Sequence, residues 1–63
     1  MPFAVKLKAA REAAGLSVRE LAERVGLTRD TIFKYERGDR WPSEEILAIL
    51  AKKLKVRPSE LVD

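Results

Sequence analysis

Hydrophobic residues recur along this chain at intervals of three and four, which is the period of an amphipathic α-helix. Glycine and proline interrupt the pattern and divide it into short segments. The pattern predicts a first helix over about residues 4–14. A second helix is predicted to begin near Val18, because Ser17 and Glu20 have the spacing of a capping box. This second helix should end at Gly26.

Three further helices are predicted downstream. Thr28 is a suitable N-cap for a third helix, which should end at Gly38. Ser43 caps a fourth helix, whose acidic first turn and lysine-rich end suit the helix dipole. Pro58 suits the first position of a short fifth helix over about residues 58–62. No strand pattern occurs, so the predicted fold class is all-α, a five-helix orthogonal bundle.

The apolar faces of these helices predict one small hydrophobic core in a single domain over residues 1–63. The predicted core members are Leu7, Ala10, Leu16, Leu21, Ala22, Val25, Leu27, Ile32, Leu47, Leu50, Ala51, Leu54, Val56 and Leu61. A core of this size is marginal for a chain of 63 residues. We therefore expect dimerisation or a salt-bridge network to supplement it.

The composition narrows the possible functions. The chain has no cysteine and no histidine, which argues against a disulfide framework, a zinc site and the commonest catalytic base. We expect no enzyme activity, no metal and no cofactor. No apolar run approaches the roughly 20 residues needed to cross a bilayer, so a cytoplasmic protein is expected. The net charge of +3 is compatible with a polyanionic partner without requiring one.

The segment from Leu21 to Ile32 carries the most informative pattern. Ala22 is small enough to let the next helix approach closely, and Gly26 permits a tight turn through a positive φ. Ile32 then anchors the following helix from its inner side. This spacing is typical of a helix-turn-helix, here over about residues 17–37. Such a motif leaves the first half of its second helix free to enter the major groove of double-stranded DNA.

With these pieces in order, the sequence resembles the XRE family of phage-repressor-like and Cro-like helix-turn-helix regulators. The matching pieces are Arg11-Glu12, Gly15-Leu16-Ser17, Glu20-Leu21-Ala22, Gly26-Leu27-Thr28, Glu36-Arg37-Gly38, Pro42-Ser43, Leu50-Ala51, Leu54 and Glu60-Leu61. The resemblance spans about residues 7–61. It implies a lambda-repressor-like DNA-binding domain of a prokaryotic transcriptional regulator, which binds a palindromic operator as a homodimer.

The resemblance also implies roles for individual residues. In the recognition helix, about residues 28–37, the positions for base contacts are Arg29, Asp30, Phe33 and Lys34. The positions for contacts with the DNA backbone are Ser17, Arg19, Thr28, Thr31, Arg37, Gly38 and Arg40, with Lys6 or Lys8 as further candidates. Arg11 and Glu36 match a pair that forms an internal salt bridge. The family often dimerises through its C-terminal region, where the candidate interface residues are Trp41, Ile46, Ile49 and Val62.

Three positions depart from the family pattern. Val18 stands where members often have a glutamine that contacts DNA, Phe33 stands where a small or polar residue is usual, and Lys55 replaces a common glycine. The chain also contains neither asparagine nor glutamine, one of which is needed for bidentate recognition of adenine.

We therefore expect base readout by charged and apolar side chains. Guanine is expected opposite Arg29 or Lys34, because both side chains donate hydrogen bonds to its acceptor edge. Cytosine is expected opposite Asp30, and thymine methyl groups against Phe33 or Thr31.

Several alternatives stay open at the level of the sequence. Asp30 serves either as a base contact or only as an acid favoured by the helix dipole. Phe33 either contacts bases or packs near Val18. Trp41 either covers the loop before the fourth helix or lies in an interface. Tyr35 is expected in the core or at its edge rather than stacked on a base.

A second functional class also remains. The chain could be the antitoxin of a toxin–antitoxin pair, which binds a partner protein and regulates its own promoter through the same helix-turn-helix. The possible protein partners are a toxin or RNA polymerase. The sequence pattern indicates no interaction with a membrane.

Overall fold

The computed structural model describes residues 2–62, with side chains from residue 3. Its elements are α1 (Pro2–Ala13), α2 (Val18–Val25), α3 (Arg29–Arg37), α4 (Glu44–Leu54) and a 3₁₀ turn (Pro58–Glu60). Within this range there is no strand, so the predicted all-α class is confirmed.

The short fifth helix predicted over about residues 58–62 begins at Pro58 but is a 3₁₀ turn, so the count of five helices is not confirmed. The segment forms one 3₁₀ turn of three residues. The amide of Glu60 donates to the carbonyl of Arg57 at 2.8 Å, and the amide of Leu61 donates to that of Pro58 at 3.0 Å. Both bonds span three residues, which is the 3₁₀ pattern. Leu61, directly after this turn, is buried in the core.

Side-chain caps start α2, α3 and α4 where the sequence predicted. The hydroxyl oxygen of Ser17 accepts a hydrogen bond from the Glu20 amide at 3.0 Å, and the Glu20 carboxylate accepts one from the Ser17 amide at 2.8 Å. This capping box lowers the pKa of Glu20, chiefly through the bond from the backbone amide of Ser17. Thr28 and Ser43 cap α3 and α4 in the same way, through the amides three residues on.

One hydrophobic core joins the helices. Its buried members are Phe3, Leu7, Leu21, Ala22, Val25, Ile32, Tyr35, Leu50, Ala51, Leu54 and Leu61. The sequence-based core omitted Phe3, and it left Tyr35 between core and edge. Both rings are almost fully buried and meet edge to face, with their centroids 6.0 Å apart. Five predicted members only line this core as half-buried residues, namely Ala10, Leu16, Leu27, Leu47 and Val56.

Candidate nucleic-acid interface

A tight turn joins α2 to α3 and fixes their relative placement. Gly26 ends α2 with a φ of 74°, the left-handed conformation that glycine adopts without strain. The amides of Gly26 and Leu27 both donate to the carbonyl of Ala22, which closes the end of the helix. Thr28 then caps α3, so three residues separate the two helices. The predicted positive φ at Gly26 is confirmed.

The inner face of α3 is anchored in the core through Ile32 and Tyr35, both buried. A salt bridge adds a second attachment, to α1. The guanidinium of Arg11 makes two parallel bonds to the Glu36 carboxylate, at 2.7 and 3.2 Å, and a third bond to the carbonyl of Leu16 at 2.9 Å. The two side chains are only 11% and 8% exposed. This pair joins α1, the following loop and α3, as the resemblance implied.

The electrostatics of Arg11 agree with this role. Its hydrogen bond to Glu36 raises the pKa of the guanidinium above its ordinary value, against the effect of burial. The guanidinium of Arg11 is therefore charged throughout the physiological pH range.

The outer face of α3 presents four side chains at helical spacing, namely Asp30, Phe33, Lys34 and Arg37. Phe33 is 47% exposed, which is unusual for an aromatic ring. The ammonium of Lys34 lies 3.2 Å from the Asp30 carboxylate, one helical turn away. Arg29 is exposed at the start of the helix and has no ion-pair partner among residues 2–62.

Two of the arginines predicted to follow the DNA backbone are held in exposed ion pairs. Arg19 lies 3.5 Å from Glu23 on α2, and Arg37 lies 3.0 Å from Asp39 after α3. Arg40 is exposed in the loop before α4. The two candidate lysines of α1 differ in exposure, since Lys8 is exposed and Lys6 is half-buried.

The other predicted backbone contacts already have partners inside the protein. The hydroxyl groups of Thr28 and Thr31 are hydrogen-bonded to each other at 2.9 Å, and that of Ser17 caps α2. The amide of Gly38 donates to carbonyl oxygens of the last turn of α3, and so does that of Asp39. The amides of Gly38 and Asp39 are therefore both already engaged within the protein.

The four residues predicted to form a dimer interface differ in their exposure. Ile49 is 39% exposed on α4, and Ile46, one turn earlier, is half-buried. Val62 packs against the core. Trp41 is 64% exposed and stacks on Phe3 of α1, with ring centroids 5.2 Å apart.

The stack of Phe3 and Trp41 is a feature that the sequence analysis missed. The two rings line a shallow pocket of about 90 Å³, together with Ala4, Gly38 and Arg40. Phe3 shares a helical face with Leu7, and this spacing was the available signal for its burial. The sequence carried no signal that would pair residues 38 positions apart in the chain.

Two findings concern other classes of site. Among residues 2–62, no cluster of acidic side chains is placed to hold a metal ion. None of the described helices is both long and apolar enough to cross a membrane.

Comparison with known proteins agrees with this geometry. The helix-turn-helix family model matches residues 7–61. Uncharacterized HTH-type transcriptional regulators in two strains of Mycobacterium tuberculosis are 42% identical over 50 residues, which is 79% of this chain and 36% of each relative. The chain thus spans about a third of the length of these relatives.

Two solved structures are similar over almost the whole chain. The restriction-modification controller protein C.AhdI from Aeromonas hydrophila is 38% identical, with a TM-score of 0.91 over 97% of this chain and 92% of that one. The clp gene regulator ClgR from Corynebacterium glutamicum is 27% identical, with a TM-score of 0.90 over 95% of this chain and 64% of that one. The chain belongs to the XRE-type helix-turn-helix family.

Proposed function

We propose that this chain binds double-stranded DNA in a sequence-specific manner and regulates transcription, with α3 lying in the major groove. The exposed outer face of α3 carries the proposal. Its inner face is fixed by the core and by the bridge from Arg11 to Glu36, whereas Asp30, Phe33 and Lys34 face outward. The major groove of B-DNA is wide enough to admit one α-helix presented in this way.

Base readout is assigned to the outer face of α3 and its first turn. Arg29 is exposed and unpaired among residues 2–62, so its guanidinium can donate two bonds to the O6 and N7 atoms of guanine. Lys34 is a second candidate for guanine, and Asp30 can accept a bond from the amino group of cytosine. The exposed ring of Phe33 supports contact with a thymine methyl group, although packing near Val18 is the alternative.

Affinity that does not depend on sequence is assigned to the surrounding cations. Arg19, Arg37 and Arg40 are exposed around α3, and Lys8 is exposed on α1. For each phosphate that such a side chain neutralises, a tenfold rise in salt concentration lowers the logarithm of the binding constant by about 0.9. These contacts position the protein and carry no sequence information by themselves.

We also propose that the protein acts as a homodimer on a palindromic operator. A two-fold dimer places two copies of α3 about 34 Å apart, in successive major grooves. Ile49 supports α4 as the dimer contact, since it is an exposed large apolar side chain one turn from the half-buried Ile46.

The test is selection of bound sequences from a random duplex library, followed by affinity measurements across salt concentrations. We expect an enriched palindrome with guanine in each half-site. Arg29→Ala should weaken binding to that site by about 10- to 100-fold and relax one position, as the loss of a bidentate base contact predicts. Arg57→Ala is the matched control, because Arg57 is exposed beside the 3₁₀ turn, which packs on α4.

Two outcomes would contradict the proposal. Weak binding without any enriched sequence would exclude specific readout by α3. If a protein partner also copurified with the chain, the antitoxin function would become the better explanation. An equal effect of Arg29→Ala and Arg57→Ala would show that only net charge governs binding.

A further inference from the structure

Trp41 is an exposed aromatic ring on a rigid support, in the loop that follows α3. It is the single tryptophan of the chain, and it is 64% exposed. One face of its indole stacks on Phe3, with ring centroids 5.2 Å apart and 27° between the planes. Phe3 is itself only 2% exposed in the core, so the stack holds the indole in place. The remainder of the ring is open to a partner.

The indole N–H of Trp41 is a hydrogen-bond donor without an acceptor among the described residues. An indole has this one donor, no acceptor atom and no charge. A partner that covers the ring therefore has to present an acceptor to the N–H, since a buried donor without one is destabilising.

A cation lies beside the exposed ring. Trp41 and Arg40 both border the shallow pocket of about 90 Å³ over Ala4 and Gly38. Small-molecule sites have volumes of roughly 300–1,000 Å³, so this pocket does not suit an effector ligand. Its border combines an apolar ring, an uncharged donor and a guanidinium. The ligand with complementary groups is a sugar–phosphate chain, whose deoxyribose offers an apolar face and whose phosphate oxygens accept hydrogen bonds.

The position of Trp41 in the chain favours duplex DNA as the source of this sugar–phosphate chain. Arg40 directly precedes Trp41, and the proposed function assigns Arg40 to the neutralisation of a phosphate. Because the two residues border the same pocket, a phosphate bound by Arg40 lies beside the indole.

We propose that Trp41 packs on the deoxyribose of the DNA backbone and donates its indole N–H to a phosphate oxygen beside Arg40. This inference rests on the proposed DNA binding and adds a contact of a different kind. The counterion release that makes binding salt-dependent comes from cationic side chains, so a neutral donor adds affinity that persists at high salt. The backbone has the same groups at every nucleotide, so the contact does not depend on sequence. The support from Phe3 reduces the side-chain freedom that is lost on binding.

Fluorescence tests this contact in the unaltered chain. Trp41 is the single tryptophan, so selectively excited tryptophan emission reports on this ring alone. We expect a saturable change in the emission on addition of duplex DNA, with the same midpoint as the anisotropy of a labelled duplex. The change should occur with the selected palindrome and, at low salt, with a random duplex. Dilution of the chain without DNA should leave the emission unchanged.

Variants then compare the contact of Trp41 with that of a charge. Trp41→Ala should weaken binding to the palindrome and to a random duplex by the same factor, about tenfold, as the loss of a hydrogen bond to a charged acceptor predicts. Its salt dependence should equal that of the unaltered chain. Arg40→Ala should instead reduce the salt dependence, by about 0.9 in the logarithm of the binding constant per tenfold change in salt.

Two further variants serve as controls. Trp41→Phe retains a ring over Phe3 but has no donor, so its affinity should lie between those of Trp41→Ala and the unaltered chain. Val5→Ala removes a side chain that is 66% exposed on α1 and should leave the affinity unchanged. Circular dichroism verifies that each variant is folded. If Trp41→Ala does not fold, Trp41→Phe and the emission of the unaltered chain decide the outcome.

The inference is overturned if the emission of Trp41 stays constant while the labelled duplex is bound, or if the Trp41 variants retain full affinity. A loss at the palindrome without a loss at a single half-site would place Trp41 in a protein interface, as would an emission that changes on dilution without DNA. A loss confined to the selected sequence would indicate base readout. Each of these results contradicts a backbone contact.

The failure of this inference is distinguishable from the failure of the proposed function. If the unaltered chain still selects a sequence, the proposed function survives any of the results above. If the chain binds duplex DNA without enriching any sequence, the proposed function fails, whereas the contact of Trp41 is still measured on the random duplex.

Discussion

At the residue scale, Lys55 is in an unfavourable backbone conformation. It ends α4 with a φ of 61°, the one positive φ outside glycine among residues 2–62. Its amide donates to the carbonyl groups of Ala51 and Lys52, so the left-handed cap is well formed in spite of the side chain. In this region of backbone conformation a residue with a Cβ atom is destabilised by about 1 kcal/mol. The departure from the family glycine, noted in the sequence, therefore has a structural consequence.

Lys55→Gly is expected to raise the free energy of unfolding by about 1 kcal/mol over Lys55→Ala, because glycine lacks the Cβ that strains this conformation. The alanine variant is the control, since it removes the same charge near the end of the helix dipole and retains the Cβ. Urea denaturation followed by circular dichroism measures the difference. Equal stability of the two variants would show that the cap of α4 carries no strain.

Local chemistry explains which residue roles the sequence could predict. Ser17, Thr28 and Ser43 act on amides three residues away, so their capping roles could be predicted without knowledge of the fold. The ion pair of Asp30 with Lys34 has the same short range, but the sequence analysis treated each as an independent base contact. Which exposed side chains pair depends on rotamers that a spacing rule does not fix.

At the element scale, α3 depends on α1 as much as on its partner in the motif. The bridge from Arg11 to Glu36 is largely buried and bidentate, and its third bond reaches the carbonyl of Leu16. Removal of one partner leaves the other charge desolvated, which is more costly than the loss of an exposed pair. The attachment therefore contributes both to stability and to the orientation of α3.

Glu36→Gln is expected to lower the free energy of unfolding by about 3 kcal/mol, because Arg11 then stays buried without a counter-charge. The control is Asp39→Asn, which breaks the exposed pair with Arg37 and should cost less than about 1 kcal/mol. Arg11→Met combined with Glu36→Gln should recover part of the loss, which thermal or urea unfolding will show. Equal losses in the free energy of unfolding for Glu36→Gln and Asp39→Asn would show that the bridge from Arg11 to Glu36 stabilises the protein no more than an exposed ion pair does.

The sequence predicted the elements better than it predicted how they pack. Three α-helices begin at caps that it identified, and α1 extends over Pro2–Ala13 rather than residues 4–14. The predicted fifth helix starts at Pro58 but is only a 3₁₀ turn, because a proline suited to a first turn does not determine how long that helix continues. Burial of Phe3 under Trp41 depends on a contact between distant parts of the chain, which periodicity does not contain.

At the scale of the whole molecule, the small core and the exposed apolar side chains favour self-association. Eleven buried side chains form the core among the described residues, which is a modest number for an independent domain. Among those residues, Val5, Phe33, Trp41 and Ile49 are the large apolar side chains left exposed. Phe33 lies on the proposed DNA-binding face and Trp41 already stacks on Phe3. Val5 lies on α1, whereas the family often dimerises through its C-terminal region, so Ile49 is the strongest candidate for a dimer contact.

Ile49→Glu is expected to convert a dimer into a monomer, because a charge at the centre of a two-fold contact meets its own copy and loses hydration. Val5→Glu is the matched control, with the same change of charge at an exposed apolar position of α1. Sedimentation equilibrium measures the association of both variants, and binding to the palindrome and to a single half-site measures its consequence. Ile49→Glu should weaken binding to the palindrome far more than to the half-site, since it removes only the coupling between two copies of α3. If both variants stay dimeric, the dimer contact does not lie at Ile49. If the unaltered chain is a monomer both at high concentration and on the palindrome, the homodimer is excluded.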